Sequence, residues 1–441
     1  MKSIRYFTYS SVVALLLSAG AVRAADESPY KFEFHGFVTG SMFIQNQVFV
    51  GGTGQDNLMS APSPTGSAPR DPVPATPTDG QASKSGTFLG ADARQSRWIF
   101  AMSGPQAWGA TPKGYFEGDI YGADTASANA AATNAWEHTQ LRIRAAFGEL
   151  KWGTTQLQVG QYSAQLILAQ LSASVAHVAN PITFGTGTIG SRGVGVRVVH
   201  GMPLGDMKLE LAAEALAPKW NDPARVGPFT PGTISQAWAS GMPQIGARAK
   251  VDGKSGNLAF SGYVVGEFQS VNLKGFGDSF VRGGQPGVVL ADGSRKTSLS
   301  PYALELGGNV LFAPVSVAFN LYTGKATGAW AGSMNQAGDI TDLGWWAQLG
   351  IHPTKQLSLF GLIGMNASDE KEVRLWGGSR SDNTMYGGIA RFSDGGYTFA
   401  LEYYSMSTKY LLGDWAAYQA GTSTTKTTDG YQFIASANYA W

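Results

Sequence analysis

Sixteen stretches of this chain alternate apolar and polar side chains with a period of two, and the connections between them are sorted by length. The stretches are 31–45, 91–103, 113–123, 140–152, 154–164, 192–201, 206–216, 243–252, 257–269, 299–312, 315–324, 342–352, 356–366, 384–393, 396–406 and 430–441. Seven connections are short (104–112, 153, 201–205, 253–256, 313–314, 353–355 and 394–395), and they follow the even-numbered stretches. The eight between them are longer, among them a Pro/Gly/Ser-rich segment, SAPSPTGSAPRDPVPATPTDG. A soluble sandwich has no reason to sort its loops by parity. A barrel that crosses a membrane does, because tight turns gather on one side and long loops on the other.

The expected fold is therefore all-β: a 16-stranded antiparallel transmembrane β-barrel with short periplasmic turns and long extracellular loops. Charged residues make up 14% of the chain, low against the ~25% usual in soluble domains. Lys2 and Arg5 precede an apolar run over 12–17 that ends in small residues before Ala25. Residues 1–24 read as a secretory signal peptide, leaving 25–441 as a single outer-membrane barrel domain. Loss of that segment takes Lys2, Arg5 and Arg23 from 32 basic residues against 31 acidic, a net charge of about −2 that offers nucleic acid no basic stripe. There is no cysteine, hence no disulfide framework and no thiolate metal site.

An even strand number puts both chain ends on the periplasmic side. The last strand places Tyr431, Phe433, Ala435, Ala437, Tyr439 and Trp441 on one face and Gln432, Ser436 and Asn438 on the other. A terminal Trp441 on such a strand fits closure against the first strand, and it resembles the signal read by the outer-membrane barrel assembly machinery. Trp152, Phe312 and Tyr397 beside short turns, with Tyr121, Phe268, Tyr322 and Tyr403 near long loops, are expected to form two interfacial girdles.

Four segments carry a family resemblance: FHGFVTGSMF at 34–43, DARQSRWIF at 92–100, GYFEGDIYG at 114–122 and LRIRAAFGELKWGTTQLQVGQYS at 141–163. They resemble trimeric porins of the DcaP-like family across the first five strands, although no coiled-coil-like segment precedes the first strand here. The resemblance implies a homotrimer in the outer membrane of a Gram-negative bacterium, surrounded by its lipids. Each protomer would be a water-filled pore passing small, preferably anionic, solutes, and no cofactor or metal is expected.

By similarity to general porins, the third long connection, 163–191, is the candidate constriction loop. It holds no Asp, Glu, Lys or Arg from 164 to 191, so any charge preference must come from the wall. Strand phase names the wall residues. Leu141, Ile143 and Ala145 are assigned to lipid, which turns Arg142 and Arg144 inward; Phe116 and Ile120 face lipid, so Glu117 and Asp119 face the lumen. The same rule puts Arg197, Glu210, Arg248, Lys250, Glu305, Arg391 and Glu402 inside. Arg94 and Arg97 differ in phase, and Arg97 is the one expected to point inward. A charge facing lipid near the midplane would cost ~2–4 kcal/mol.

Each candidate has a plainer reading. Glu117 and Asp119 could pair with Arg142 and Arg144 across the ladder and cancel their field. His177 could gate with pH, or be a polar residue in a water-exposed loop. GTGTIG at 185–190 matches a dinucleotide fingerprint, but it lies in a long connection without a following helix and reads as a flexible loop. Trp136, Trp330, Trp376 and Trp415 could stack on neutral sugars or aromatic solutes at the mouth, or pack loops together. An outer-membrane hydrolase would need a serine, a histidine and an orienting group, and none can be named. No enzyme is expected.

Overall fold

The computed structural model describes residues 29–47, 85–122, 140–220, 237–274, 288–335 and 338–441. The expected signal peptide, most of the first long connection and Trp136 lie outside them.

Period-two alternation leaves each strand one apolar face, and a sheet with one apolar face and no water outside it must close to satisfy its edges. The strands are β1 (Lys31–Gln47), β2 (Ser85–Asp92 and Arg97–Ser103), β3 (Thr111–Gly122), β4 (Gln140–Trp152), β5 (Thr155–Tyr162), β6 (Gly193–Leu204), β7 (Met207–Leu216) and β8 (Gln244–Ser255). They continue as β9 (Leu258–Phe268), β10 (Tyr302–Phe312), β11 (Val315–Lys325), β12 (Thr341–Ile351), β13 (Leu357–Ser368), β14 (Arg380–Asp394), β15 (Tyr397–Leu412) and β16 (Thr424–Ala440). Each pairs antiparallel with the next. β16 then closes on β1, from Phe37 opposite Ala440 to Gln45 opposite Gln432.

The outer surface is apolar. Val194, Val196 and Val198 of β6, Leu304 and Leu306 of β10, and Val315, Val317 and Phe319 of β11 are all exposed large side chains on one face. Such a band is stable only against hydrocarbon, so the barrel spans a membrane, with its backbone paired strand to strand apart from local bulges. Among the described residues no helix is long and apolar enough to cross a membrane.

Trp441 lies just past β16 and exchanges backbone hydrogen bonds with Gly36, donating at 3.1 Å and accepting at 3.4 Å. Its ring covers Gly36, where a Cβ would come within 2.7 Å of the indole. Phe34 flanks it at 6.0 Å between ring centroids. The last residue thus seals the seam of the barrel.

Three phase assignments change. Tyr322 is 1% exposed and turned into the lumen, and Tyr121 lies between the guanidiniums of Arg94 and Arg142, so neither belongs to a girdle. Ala145 faces inward, not toward lipid. The β3–β4 ladder slips by one residue between Glu117, opposite Ala145, and Gly118, opposite Ile143, which leaves Arg144 as the extra residue of a β-bulge and reverses the phase beyond it. Strand β2 is broken in a related way by a turn at 93–96, which lets Arg94 and Arg97 both reach the interior.

Candidate functional site

Connection 163–191 runs inside the barrel, which explains its lack of charge. A backbone taken out of bulk water needs partners for its N–H and C=O groups. The wall supplies them nearly all the way round. The N–H of Leu166 donates to Glu214 (3.0 Å), that of Ile167 to Glu267 (3.1 Å), and that of Ala173 to Gln348 (3.0 Å). Val175 and Ala176 both donate to Glu402, at 2.7 and 2.9 Å, and the Ser174 hydroxyl takes its other oxygen at 2.6 Å. Val178 and Ala179 donate to Gln95, which the turn at 93–96 presents to them.

The GTGTIG stretch is the most firmly held part of the loop, and the expectation of flexibility there is overturned. Asn320 donates to the Gly187 carbonyl at 2.8 Å, Asn383 to that of Gly185 at 2.9 Å, and the Trp346 indole to the Thr188 hydroxyl at 2.8 Å. Gly187 has φ +116° and presses its backbone on Trp345, where a side chain has no room. The sixth long connection meets it there: Gly185 and Gly190 donate to the carbonyls of Gly332 and Ala331.

His177 is not a water-exposed loop residue and does not line the open lumen. It is 4% exposed, turned to the wall, with Nε2 3.3 Å from Gln432 Oε1 and its ring edge-on to Tyr404. Burial holds its imidazole below the usual range, against the opposing pull of Glu402. Trp330 is fully buried with its indole on Glu267 at 2.7 Å, and Trp376 is buried as well. Those two rings pack loops and offer no platform to a sugar.

The wall facing the loop ends carries the cations. Arg142 forks onto Asp119 at 2.9 and 2.7 Å; Arg144 bridges Glu117 at 2.6 Å and Asp119 at 3.0 Å. The cross-ladder pairing anticipated as the plainer reading therefore exists, and the bulge at Arg144 makes it geometrically possible. Arg97 reaches Glu117 at only 3.4 Å and gives its best hydrogen bond, 2.6 Å, to the Val178 carbonyl. Arg94 pairs with Asp92 at 2.6 Å and, together with Arg142, stacks on Tyr121.

Arg192 was missed by strand phase. It follows the charge-free run directly and stands just outside β6. It makes no ion pair with any described residue, and its NH1 is buried without a hydrogen-bond partner among them. Burial pushes its guanidinium down to about 10, with the nearby charges of Arg142 and Arg144 adding to the effect, so it stays charged at neutral pH. Among the described residues, Arg94, Arg97, Arg142, Arg144 and Arg192 thus face three carboxylates, Asp92, Glu117 and Asp119, a surplus of two positive charges.

The remaining candidates all lie on the lumen wall but not in this group. Arg197 binds Glu214 at 2.6 Å and the Ala164 carbonyl at 2.7 Å. Arg248 is paired with Glu210 at 2.9 Å, and Lys250 with Asp252 at 3.0 Å. Glu305 accepts from the Tyr263 hydroxyl at 3.0 Å. Arg391 faces inward on the short-turn side of the loop. His352 has a serine hydroxyl on each ring nitrogen, Ser316 and Ser358, so no carboxylate orients it as a triad would require. Among the described residues no cluster of three His, Asp or Glu could hold a metal.

No protein-family model matches the chain, and no curated protein matches it in sequence. Solved structures do match along nearly its whole length. The outer membrane channel DcaP of Acinetobacter baumannii superposes with a TM-score of 0.58 at 14% identity, over 96% of this chain and all of that one. The chain has the outer-membrane porin fold. Two further porin-fold neighbours are an anion-selective porin from Comamonas acidovorans (TM-score 0.51, 12% identity, 93% of this chain and all of that one) and a loop-deleted OmpT, an outer membrane protein of Vibrio cholerae (0.50, 10%, 94% and all). At these identities the likeness is one of fold. The porin fold and its apolar outer band place the chain in the outer membrane of a Gram-negative bacterium.

Proposed function

We propose that the chain, after loss of residues 1–24, is a passive diffusion channel for small hydrophilic solutes that favours small anions such as carboxylates. The loop 163–191 limits size and the wall sets charge. One observation carries the reading: among the described residues of this cluster, five guanidiniums stand against three carboxylates beside a loop with no Asp, Glu, Lys or Arg of its own. Charge on a pore wall acts most strongly where the passage is narrow and the walls have low dielectric. The anion-selective porin that shares this fold supports the reading. Catalysis is not part of it. A homotrimer embedded in outer-membrane lipid, assembled by recognition of the last strand and Trp441, completes the proposal.

Reversal potential across a KCl gradient in a planar bilayer is the test, on wild type and on Arg142→Ala with Arg144→Ala. Removing two of the five guanidiniums leaves three against three carboxylates, so an anion-selective current should move close to neutrality. A selectivity identical in both proteins would remove the wall cations from the mechanism. Correctly folded barrels that pass no current would end the channel reading itself.

A further inference from the structure

We propose a second anion site in the lumen, on the short-turn side of the loop, centred on Arg391 and suited to a monocarboxylate with a compact apolar body. The proposal extends the channel reading but concerns different residues. Arg391 sits three residues before the end of β14, opposite Ala400 of β15. Its guanidinium lies over the Phe360 ring at 4.9 Å and makes no ion pair with any described residue.

The reason lies in the loop. Glu402, two residues along β15 from Ala400, is the nearest acid on that strand, and its oxygens are taken by Ser174, by the N–H groups of Val175 and Ala176, and by the Tyr404 hydroxyl. Glu402 still acts on Arg391 through its charge, but with its oxygens committed to the loop it gives the guanidinium no hydrogen bond. A half-buried guanidinium with no carboxylate bonded to it can take one brought from outside.

The surroundings decide which one. Arg391 opens into a recess of about 730 Å³ between loop residues 170–173 and the wall, a size usual for small-molecule sites. Leu171, Leu311, Pro314 and Phe360 line it, and His352 stands edge-on to Phe360 at 5.6 Å with both ring nitrogens already bonded. Lys355 is solvent-exposed at the rim, where a hydrated ammonium steers an anion without holding it. One guanidinium beside Leu171, Leu311 and Phe360 matches one carboxylate on an apolar body, with the amides of Gln170, Asn309 and Gln348 completing the lining. An anion passing the arginine wall would then find a second station beyond the loop, and paired stations of moderate strength favour conduction.

Equilibrium dialysis of labelled hexanoate against detergent-solubilised, folded barrels measures the site without relying on conduction. Wild type should bind in the millimolar range, Arg391→Ala about tenfold more weakly, and Arg391→Lys between the two. In planar bilayers, hexanoate added on the short-turn side should reduce the current through wild type and do so far less in Arg391→Ala. Equal binding by wild type and Arg391→Ala in dialysis overturns the site. A shift of reversal potential in Arg391→Ala as large as in the Arg142/Arg144 double variant also overturns it, by placing Arg391 in the main filter. If the barrel carries no current at all, the channel reading fails and the dialysis arm still decides the site.

Discussion

The two sides of the lumen spend their acidic groups differently. On the β2–β4 side, Asp92, Glu117 and Asp119 are bound by arginines on the wall itself. Around the rest of the wall, Glu267 and Glu402 are bound by the backbone of a loop that has no charge, and Glu214 divides its oxygens between Leu166 and Arg197. Backbone N–H groups thus satisfy carboxylate oxygens without contributing cations of their own, and backbone carbonyls of Ala164 and Val178 occupy guanidiniums without contributing anions. A loop bearing acids would cancel the arginine wall; this one leaves its surplus standing.

The largest effect is expected where the loop depends on a single side chain. Glu402→Leu orphans the N–H groups of Val175 and Ala176 together with two hydroxyls, at roughly 1–3 kcal/mol for each buried group left unpaired. The loop should leave the wall, seen in single-channel records as a higher and noisier conductance than wild type. A quiet, unchanged conductance would mean that the remaining anchors suffice.

The arginine side can be pushed in both directions. Arg192 has no ion pair with any described residue, so Arg192→Ala removes one positive charge without orphaning a described acid, and anion preference should fall while the melting temperature holds. Glu117→Gln removes one negative charge from Arg97 and Arg144, and anion preference should rise. Each should shift the reversal potential by roughly half as much as the Arg142/Arg144 double variant, in opposite senses. Shifts of the same sign would show that pairing geometry outweighs net charge.

A smaller effect comes from His177, which Glu402, Tyr404 and Gln432 face from β15 and β16. Burial lowers its pKa in the docked loop below the 6.5 expected when it is free in water. The undocked state then binds the proton more readily, so docking is at full strength above 6.5 and weakens as pH falls through that value. Channel noise should increase between pH 7 and pH 5 in wild type and change less in His177→Gln. Equal acid responses in the two proteins would assign the effect to another group.

Much of this architecture is legible in alternation alone. A lipid-facing charge is costly enough that phase identifies wall residues wherever a strand is regular, and Arg197, Arg248, Lys250, Glu305 and Glu402 all face the lumen as their phase requires. Phase fails where a strand is irregular. The bulge at Arg144 turns Ala145 inward, and the break at 93–96 frees Arg94 and presents Gln95. Gln95 stands between the two arginines in the sequence, yet no periodicity marks it as a clasp for the loop.

The sequence by itself determined the number of strands, the parity of the loops and the face of each regular strand, because those follow from a local period set by the pleat and by lipid. Only the tertiary structure decided which charges remain unpaired. Val175 and Glu402 are 227 residues apart, and a hydrogen bond of that span is fixed by closure of the barrel, which brings β15 within reach of a loop that leaves β5. Local pattern carries no trace of such a pair. The place of the loop inside the lumen depends on such pairs.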